Sequence, residues 1–313
     1  MTVAFTFPGQ GSQAVGMGKA LAETFFEAAA VFEAVDDALG EPLSKLIFEG
    51  PLDQLTLTEN AQPALMAVSV AAVRVLEARG VRIRDKVAFV AGHSLGEYSA
   101  LAAAGSLSVA DAARLLRTRG RAMQDAVPIG TGAMAALLGV DLDTARAVAA
   151  EAAQGDVCDV ANDNGGGQVV ISGTKAAVER GVEIAKAKGA KRALLLSVSA
   201  PFHCSLMAPA AKVMEEALAK VDLHAPSVPL VANVLAAPIT DPAEIKKRLV
   251  EQVTGMVRWR ESMAWLGQNG VTTFVEVGSG KVLSGLVKRI VEGVDTLAVG
   301  TPEDIDAAVA KLA

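Results

Sequence analysis

The sequence predicts an α/β fold: a parallel sheet flanked by helices, with a small βαββαβ domain inserted into it. Three observations predict this. Short strand-like apolar runs alternate with helical runs over most of the chain, the rhythm of a parallel sheet covered on both faces. Between residues 132 and 197 the order becomes β-α-β-β-α-β, the ferredoxin-like arrangement. The composition is 51% hydrophobic but only 4% aromatic, and alanine, valine, leucine and glycine suit helices packed closely on a sheet. At 313 residues the chain exceeds the usual single domain. Pro128-Ile129-Gly130 and Ala200-Pro201 mark the joints. They give a large domain over 1–127 and 199–313 and a small one over 128–198.

Taken in order, residues 2–7 read as a buried strand and Pro8–Gln13 as a tight loop. Residues 16–39 read as a helix broken near its middle. Thr58 reads as the cap of a helix reaching about Ala78, with Gly80 as its stop. Residues 86–92 are an apolar run of strand type, and 95–104 are mostly helix formers closed by Gly105. Ser108 caps a helix over 109–126 that Pro128 terminates. The inserted domain has strands at 132–139, 157–161, 168–172 and 191–197 and helices at 142–153 and 174–188. The large domain resumes with a helix at 205–221, a strand near 229–234 and helices near 242–252 and 258–269. A strand at 272–277, a helix at 281–291, a strand at 295–299 and a helix from about 303 complete it.

Several function classes are disfavoured. A net charge of −6 argues against a general nucleic-acid binder. Cys158 and Cys204 lie far apart, and there are only three histidines, so no metal centre and no disulfide framework is expected. The opening residues lack a basic region and run straight into a strand, so no secretory signal is expected. No window holds about 18 uninterrupted apolar residues, so no membrane span or membrane partner is expected. The expected setting is a reducing cytoplasm.

Chemistry is concentrated in Gly92-His93-Ser94-Leu95-Gly96, the G-x-S-x-G pattern in the strand–turn–helix context it requires. A serine on so sharp a turn has strained backbone angles, and glycines on either side relieve crowding. The helix that follows aims its first N–H groups at the hydroxyl, where they favour a developing oxyanion. Two other glycine clusters fail as nucleotide motifs. Gly9-x-Gly11-x-x-Ala14 has no acid-tipped second strand about 20 positions on. Gly278-Ser279-Gly280-Lys281 has Val275 and Val282 where a phosphate loop needs Gly and Ser or Thr.

A serine hydroxyl needs a neighbouring base. His93 adjoins Ser94 but is expected on the far side of the turn, and His224 sits in a polar loop. His203, in Ala200-Pro201-Phe202-His203-Cys204, lies where the chain re-enters the large domain, the floor of a two-domain cleft. The acids between 94 and 203 outside helices, Asp156, Asp159 and Asp163, fall in the inserted domain. A backbone carbonyl or an amide side chain therefore remains available to orient the imidazole. Arg119 lies near the inward face of the 109–126 helix at about 100° per residue, whereas Arg114, Arg117 and Arg121 point away. An inward guanidinium needs an anion, either an internal carboxylate or the carboxylate of a substrate.

Gly9-Gln10-Gly11-Ser12-Gln13, Gly92-His93-Ser94-Leu95-Gly96-Glu97, Arg119-Gly120, Phe202-His203 and the Gln252 region together resemble the malonyl-CoA:acyl carrier protein transacylase family of fatty acid synthesis, which is related to polyketide synthase acyltransferases. The resemblance spans nearly the whole chain. It implies a hydrolase-like α/β domain with a ferredoxin-like insertion. It also implies Ser94 as the acylated nucleophile, His203 as its base, and the N–H groups of Gln10 and Leu95 as the oxyanion hole. Arg119 would hold the malonyl carboxylate, and the carbonyl near Gln252 would orient His203. Asn162 matches a position near the cleft. Phe202 occupies a position that varies in the family, and its ring is expected to favour malonyl over methylmalonyl. No cofactor is implied beyond the substrates malonyl-CoA and an acidic, transiently docked acyl carrier protein. Lys186, Lys188, Lys191 and Arg192, or Lys288 and Arg289, are candidate docking cations. A serine esterase or thioesterase, in which water takes the acyl group, and a non-catalytic acyl-CoA-binding protein are the competing classes.

Overall fold

A computed structural model describes residues 1–312. The chain starts in the sheet with β1 (Val3–Phe7), then makes α1 (Lys19–Thr24), α2 (Phe26–Leu39), α3 (Leu43–Glu49), α4 (Leu52–Thr56), α5 (Thr58–Ala78) and α6 (Ile83–Lys86). It returns as β2 (Phe89–Gly92), followed by α7 (Gly96–Ala103) and α8 (Val109–Asp125). A second set follows: β3 (Gly132–Leu138), α9 (Leu142–Ala153), β4 (Cys158–Gly165), β5 (Gln168–Thr174), α10 (Lys175–Ala187) and β6 (Arg192–Leu195). After a 3₁₀ turn over Ser205–Met207 come α11 (Ala208–Ala219), β7 (Leu230–Ala232), β8 (Ala237–Ile239), α12 (Pro242–Thr254) and α13 (Trp259–Gln268). The chain closes with β9 (Thr273–Val277), α14 (Val282–Ile290), β10 (Asp295–Val299) and α15 (Pro302–Leu312).

The large sheet has the order β10-β9-β1-β2-β7-β8, parallel throughout except for β8, which pairs antiparallel with β7. Every residue of β1 is buried, as in a strand with helices on both faces. The small sheet is antiparallel with the order β4-β5-β3-β6, and α9 and α10 pack their own apolar core against it. The α/β class and the βαββαβ order expected from sequence are therefore observed.

The differences have local causes. Thr58 does not cap α5. Leu57 is the N-cap, and the Thr58 hydroxyl instead pairs with the Gln10 side chain. Three short helices not expected from the sequence, α3, α4 and α6, have seven residues or fewer and are too short to show a helical period. β4 runs on through Asn162-Asp163-Asn164, beyond the strand end expected at residue 161. Register shifts after Val160 and Asp163 bend the strand, and a bridge from Asn162 to Val257 ties it to the large body. α5 passes a length and hydropathy test for a membrane span at a mean hydropathy of 1.3, yet 83% of that window is buried in the core.

Candidate active site

β1 and β2 are parallel neighbours with Phe7 opposite Gly92, so the loops leaving their C-terminal ends emerge side by side. Ligand sites concentrate at such strand ends. One loop carries Gln10 and the other carries Ser94. The second turns so tightly that Ser94 has φ 53°, a left-handed value. A Cβ on Gly92 would lie 1.8 Å from the Gly96 carbonyl carbon, and one on Gly96 would lie 2.3 Å from the Phe7 carbonyl oxygen. Only glycine fits at either place, and this packing fixes where the serine points.

Two distant stretches of chain converge on the Ser94 hydroxyl. His203 Nε2 is 2.7 Å from Ser94 Oγ, and Arg119 Nη2 donates to the same oxygen at 3.1 Å. Below it, Asn233 Oδ1 accepts the Ser94 N–H at 2.8 Å. His203 itself sits at φ 57°, held by its surroundings. Its Nδ1 lies 2.8 Å from the Gln252 carbonyl and 3.2 Å from that of Gly255. A carbonyl only accepts, so Nδ1 carries the proton and the Nε2 lone pair faces the serine. The loop after His203 is tied to the small sheet, where Asp159 accepts both the N–H and the hydroxyl of Ser205.

Burial, and then the positive charge of Arg119, push the His203 imidazole down from 6.5 to about 3. It is neutral at physiological pH and able to take a proton. The same shift predicts a stability effect. The unfolded chain binds a proton at His203 below pH 6.5, whereas the folded chain does so only near 3. Folded stability from this group is therefore fully present above that range and declines as pH falls through it. The urea midpoint is expected to drop between about pH 7 and about pH 5, and His203→Gln to shrink the drop. An equal drop in the variant would remove His203 as its source.

Arg119 is 1% exposed. Its Nη1 donates to Gln62 Oε1 at 2.7 Å and its Nη2 to Gln252 Oε1 at 2.8 Å, while Nε has no partner. Among the described residues no carboxylate lies within ion-pair distance of it. Burying a charge with no carboxylate in contact is costly; the field of the more distant Glu97 offsets only part of it, and this guanidinium faces a cavity. The expectation that Arg117 points outward is corrected. It is buried against Glu41 and Asn60, because α8 is flanked by α2 as well as α5 and has two covered sides.

Gln10, Ser94, Leu95, Arg119, Asn162, Phe202 and His203 line one cavity of about 340 Å³, closed on the other side by Met134, Ala136 and Val170 of the small sheet. The N–H groups of Gln10 and Leu95 donate to no acceptor among the described residues. Gln252 lies beneath the cavity and is fully buried. His93 turns from Ser94 to Asn164 Oδ1 at 2.9 Å, with its ring against Trp259. His224 is exposed beside Asp222. Sequence reasoning missed Asn233 and Gln62. Gln62 left a signal, as a lone buried amide inside the apolar run of α5, but Asn233 left none.

A hydroxyl held between a neutral imidazole and a buried guanidinium, at the strand ends of a parallel sheet, defines an acyl-transfer enzyme. The chain belongs to the acyl transferase domain family, whose pattern matches residues 4–304. Over 311 residues it is 49% identical to the malonyl CoA-acyl carrier protein transacylase of Bacillus subtilis (strain 168), covering 99% of this chain and 97% of that one. Among solved structures it superposes on the acyl-carrier-protein-S-malonyltransferase of Bartonella henselae with a TM-score of 0.98 at 60% identity, covering 100% and 99% of the two chains. It also matches, at a TM-score of 0.95 and 42% identity over 99% and 100% of the two chains, a structure described as a type II PKS acyl-carrier protein in complex with its malonyl-transacylase.

Proposed function

We propose that the chain moves a malonyl group from malonyl-CoA to the phosphopantetheine thiol of an acyl carrier protein through a Ser94 acyl-enzyme. The observation that carries this reading is the convergence of His203 and Arg119 on one hydroxyl, 2.7 and 3.1 Å away. The base accounts for acyl transfer, and the unpaired guanidinium accounts for a carboxylated acyl group. In the first half-reaction His203 Nε2 takes the Ser94 proton as Oγ bonds to the thioester carbonyl carbon. The N–H groups of Gln10 and Leu95 hold the oxyanion. The C–S bond then breaks, and CoA leaves with the proton from His203. In the second half-reaction the carrier thiol gives its proton to His203 and attacks the Ser94 ester, and the serine recovers the proton as the malonyl thioester departs. Nucleophile, base and oxyanion donors all come from the chain, so the cycle calls for no cofactor. Composition and cysteine usage favour a cytoplasmic setting, with neither nucleic acid nor membrane as a partner.

The test is direct. After mixing with malonyl-CoA, the Ser94 peptide is expected to carry a malonyl adduct by mass spectrometry, and holo-carrier protein is expected to discharge it. No adduct would sink the reading. Discharge to water as fast as to carrier would favour an esterase. For the carrier surface, Lys186 and Lys188 are already paired with Glu183 and Glu151, which leaves Lys191 and Arg192 as the stronger cations of that cluster.

Phe202 is 8% exposed and its ring lines the acyl cavity beside His203. A single branch carbon in such a pocket shifts selectivity about 10-fold or more. Phe202→Ser is therefore expected to raise the ratio of methylmalonyl to malonyl acylation about 10-fold. An unchanged ratio would remove Phe202 from selectivity.

A further inference from the structure

Beneath the turn that carries Ser94 lies a buried carboxyl group that the cycle above does not use. Glu97, on the first turn of α7, is 1% exposed. One of its oxygens accepts the main-chain N–H of Asn233, and the other accepts the side-chain amide of Gln252. Both partners reach the reacting groups. Asn233 brackets the nucleophile turn, accepting the Ser94 N–H at 2.8 Å and donating to the Gly92 carbonyl at 2.7 Å. Gln252 donates to the Ser94 carbonyl at 2.9 Å, accepts from Arg119 at 2.8 Å, and offers its main-chain carbonyl to His203 Nδ1 at 2.8 Å. One side chain is thus a single residue removed from the nucleophile, the base and the guanidinium, which come from three distant stretches of the chain.

We propose that Glu97 is a positioning residue for acyl transfer: by clamping Asn233 to Gln252 it sets the mutual geometry of Ser94, His203 and Arg119. The proposal rests on the Ser94 acyl-enzyme reading. An acid in a first helical turn complements the helix dipole wherever it points, but that role needs neither burial nor two partners. Here both oxygens face donors, so only the ionised group satisfies both. A proton, or an amide in its place, sets donor against donor and releases one arm of the clamp. The titratable groups facing it are Arg119 from α8, Tyr98 on its own helix and His203 across Gln252. Burial pushes the carboxyl up to about 8, against the opposing pull of its two hydrogen bonds and of Arg119. The acylation rate is therefore expected to rise with pH through that region as the clamp ionises.

The experiment compares wild type, Glu97→Gln, Asn233→Ala and the double variant in malonyl-CoA acylation, with folding followed by circular dichroism. Misplacing reacting groups by about 1 Å costs on the order of 10²-fold. Each single variant is expected to lose about 10- to 100-fold in kcat with KM little changed. Glu97→Gln is expected to lose the alkaline rise, and the double variant to be less impaired than the product of the two losses. If Glu97→Gln fails to fold, the pH profile of wild-type acylation decides: a rise through the range in which Glu97 ionises supports the proposal, and a flat rate there overturns it. The proposal falls if a folded Glu97→Gln acylates at the wild-type rate, changes KM alone or keeps the alkaline rise, or if the two losses simply multiply. A wild type that forms no Ser94 adduct would instead overturn the acyl-enzyme reading on which the proposal rests.

Discussion

His203→Ala is expected to slow acylation of Ser94 by malonyl-CoA about 10³- to 10⁴-fold, at the upper end of what a positioned base supplies. Without Nε2 the serine proton has no acceptor within 3 Å among the described residues, and Arg119, a donor, cannot replace it. Residual turnover comes from the oxyanion donors and from substrate binding, which the substitution leaves in place. KM for malonyl-CoA should change little, since the substitution leaves in place the carboxylate contact proposed for Arg119. The measurement is quenched-flow mass spectrometry of the Ser94 peptide. A loss below 10-fold would mean that another group takes the proton. Truncation also strands the Gln252 and Gly255 carbonyls that now accept from Nδ1. His203→Gln, which can still donate to them, separates loss of the base from loss of structure.

The parts of this site that were legible in the sequence were those written locally. Gly92 to Gly96 encode the nucleophile turn because the collisions that demand glycine are with Gly96 and with the strand next door. The helix period placed Arg119 inward because α8 has one continuous apolar face. The same reasoning misjudged Arg117, since a helix phase does not reveal that a second helix covers the flank. Gln252 emerged as the histidine's partner from the family resemblance and from the absence of a suitable acid, not from any pattern around it. Asn233 was invisible, because its task is defined by a turn 139 positions away in the chain. The small sheet was legible as an element order. The bulged run through Asn162 was not, because its hydrogen bonds go to Val257, which only the tertiary fold brings near.

Arg119→Ala carries the strongest expected effect on choice of substrate. Malonyl acylation should fall about 30- to 4,000-fold, the range set by the roughly 2–5 kcal/mol that removing one partner of a buried charge pair costs. Acetyl-CoA, which presents no carboxylate, should lose little and serves in the same assay as an internal control. The control matters because Arg119 also donates to Gln62 and Gln252. If its removal acted by disturbing Gln252, and through it His203, both acyl groups would suffer alike. A second consequence runs the other way. The charge of Arg119 is one of the causes that depress the His203 imidazole, so the variant has a stronger base and acetyl transfer can rise. In the wild type a bound malonyl carboxylate would offset that same charge, strengthening the base only when the carboxylated substrate is in place. Arg119→Lys should not restore malonyl transfer fully, because an ammonium cannot hold Gln62 and Gln252 as the planar fork does and also reach a carboxylate. Equal losses for malonyl and acetyl would remove the guanidinium from substrate selection and leave it a structural cation.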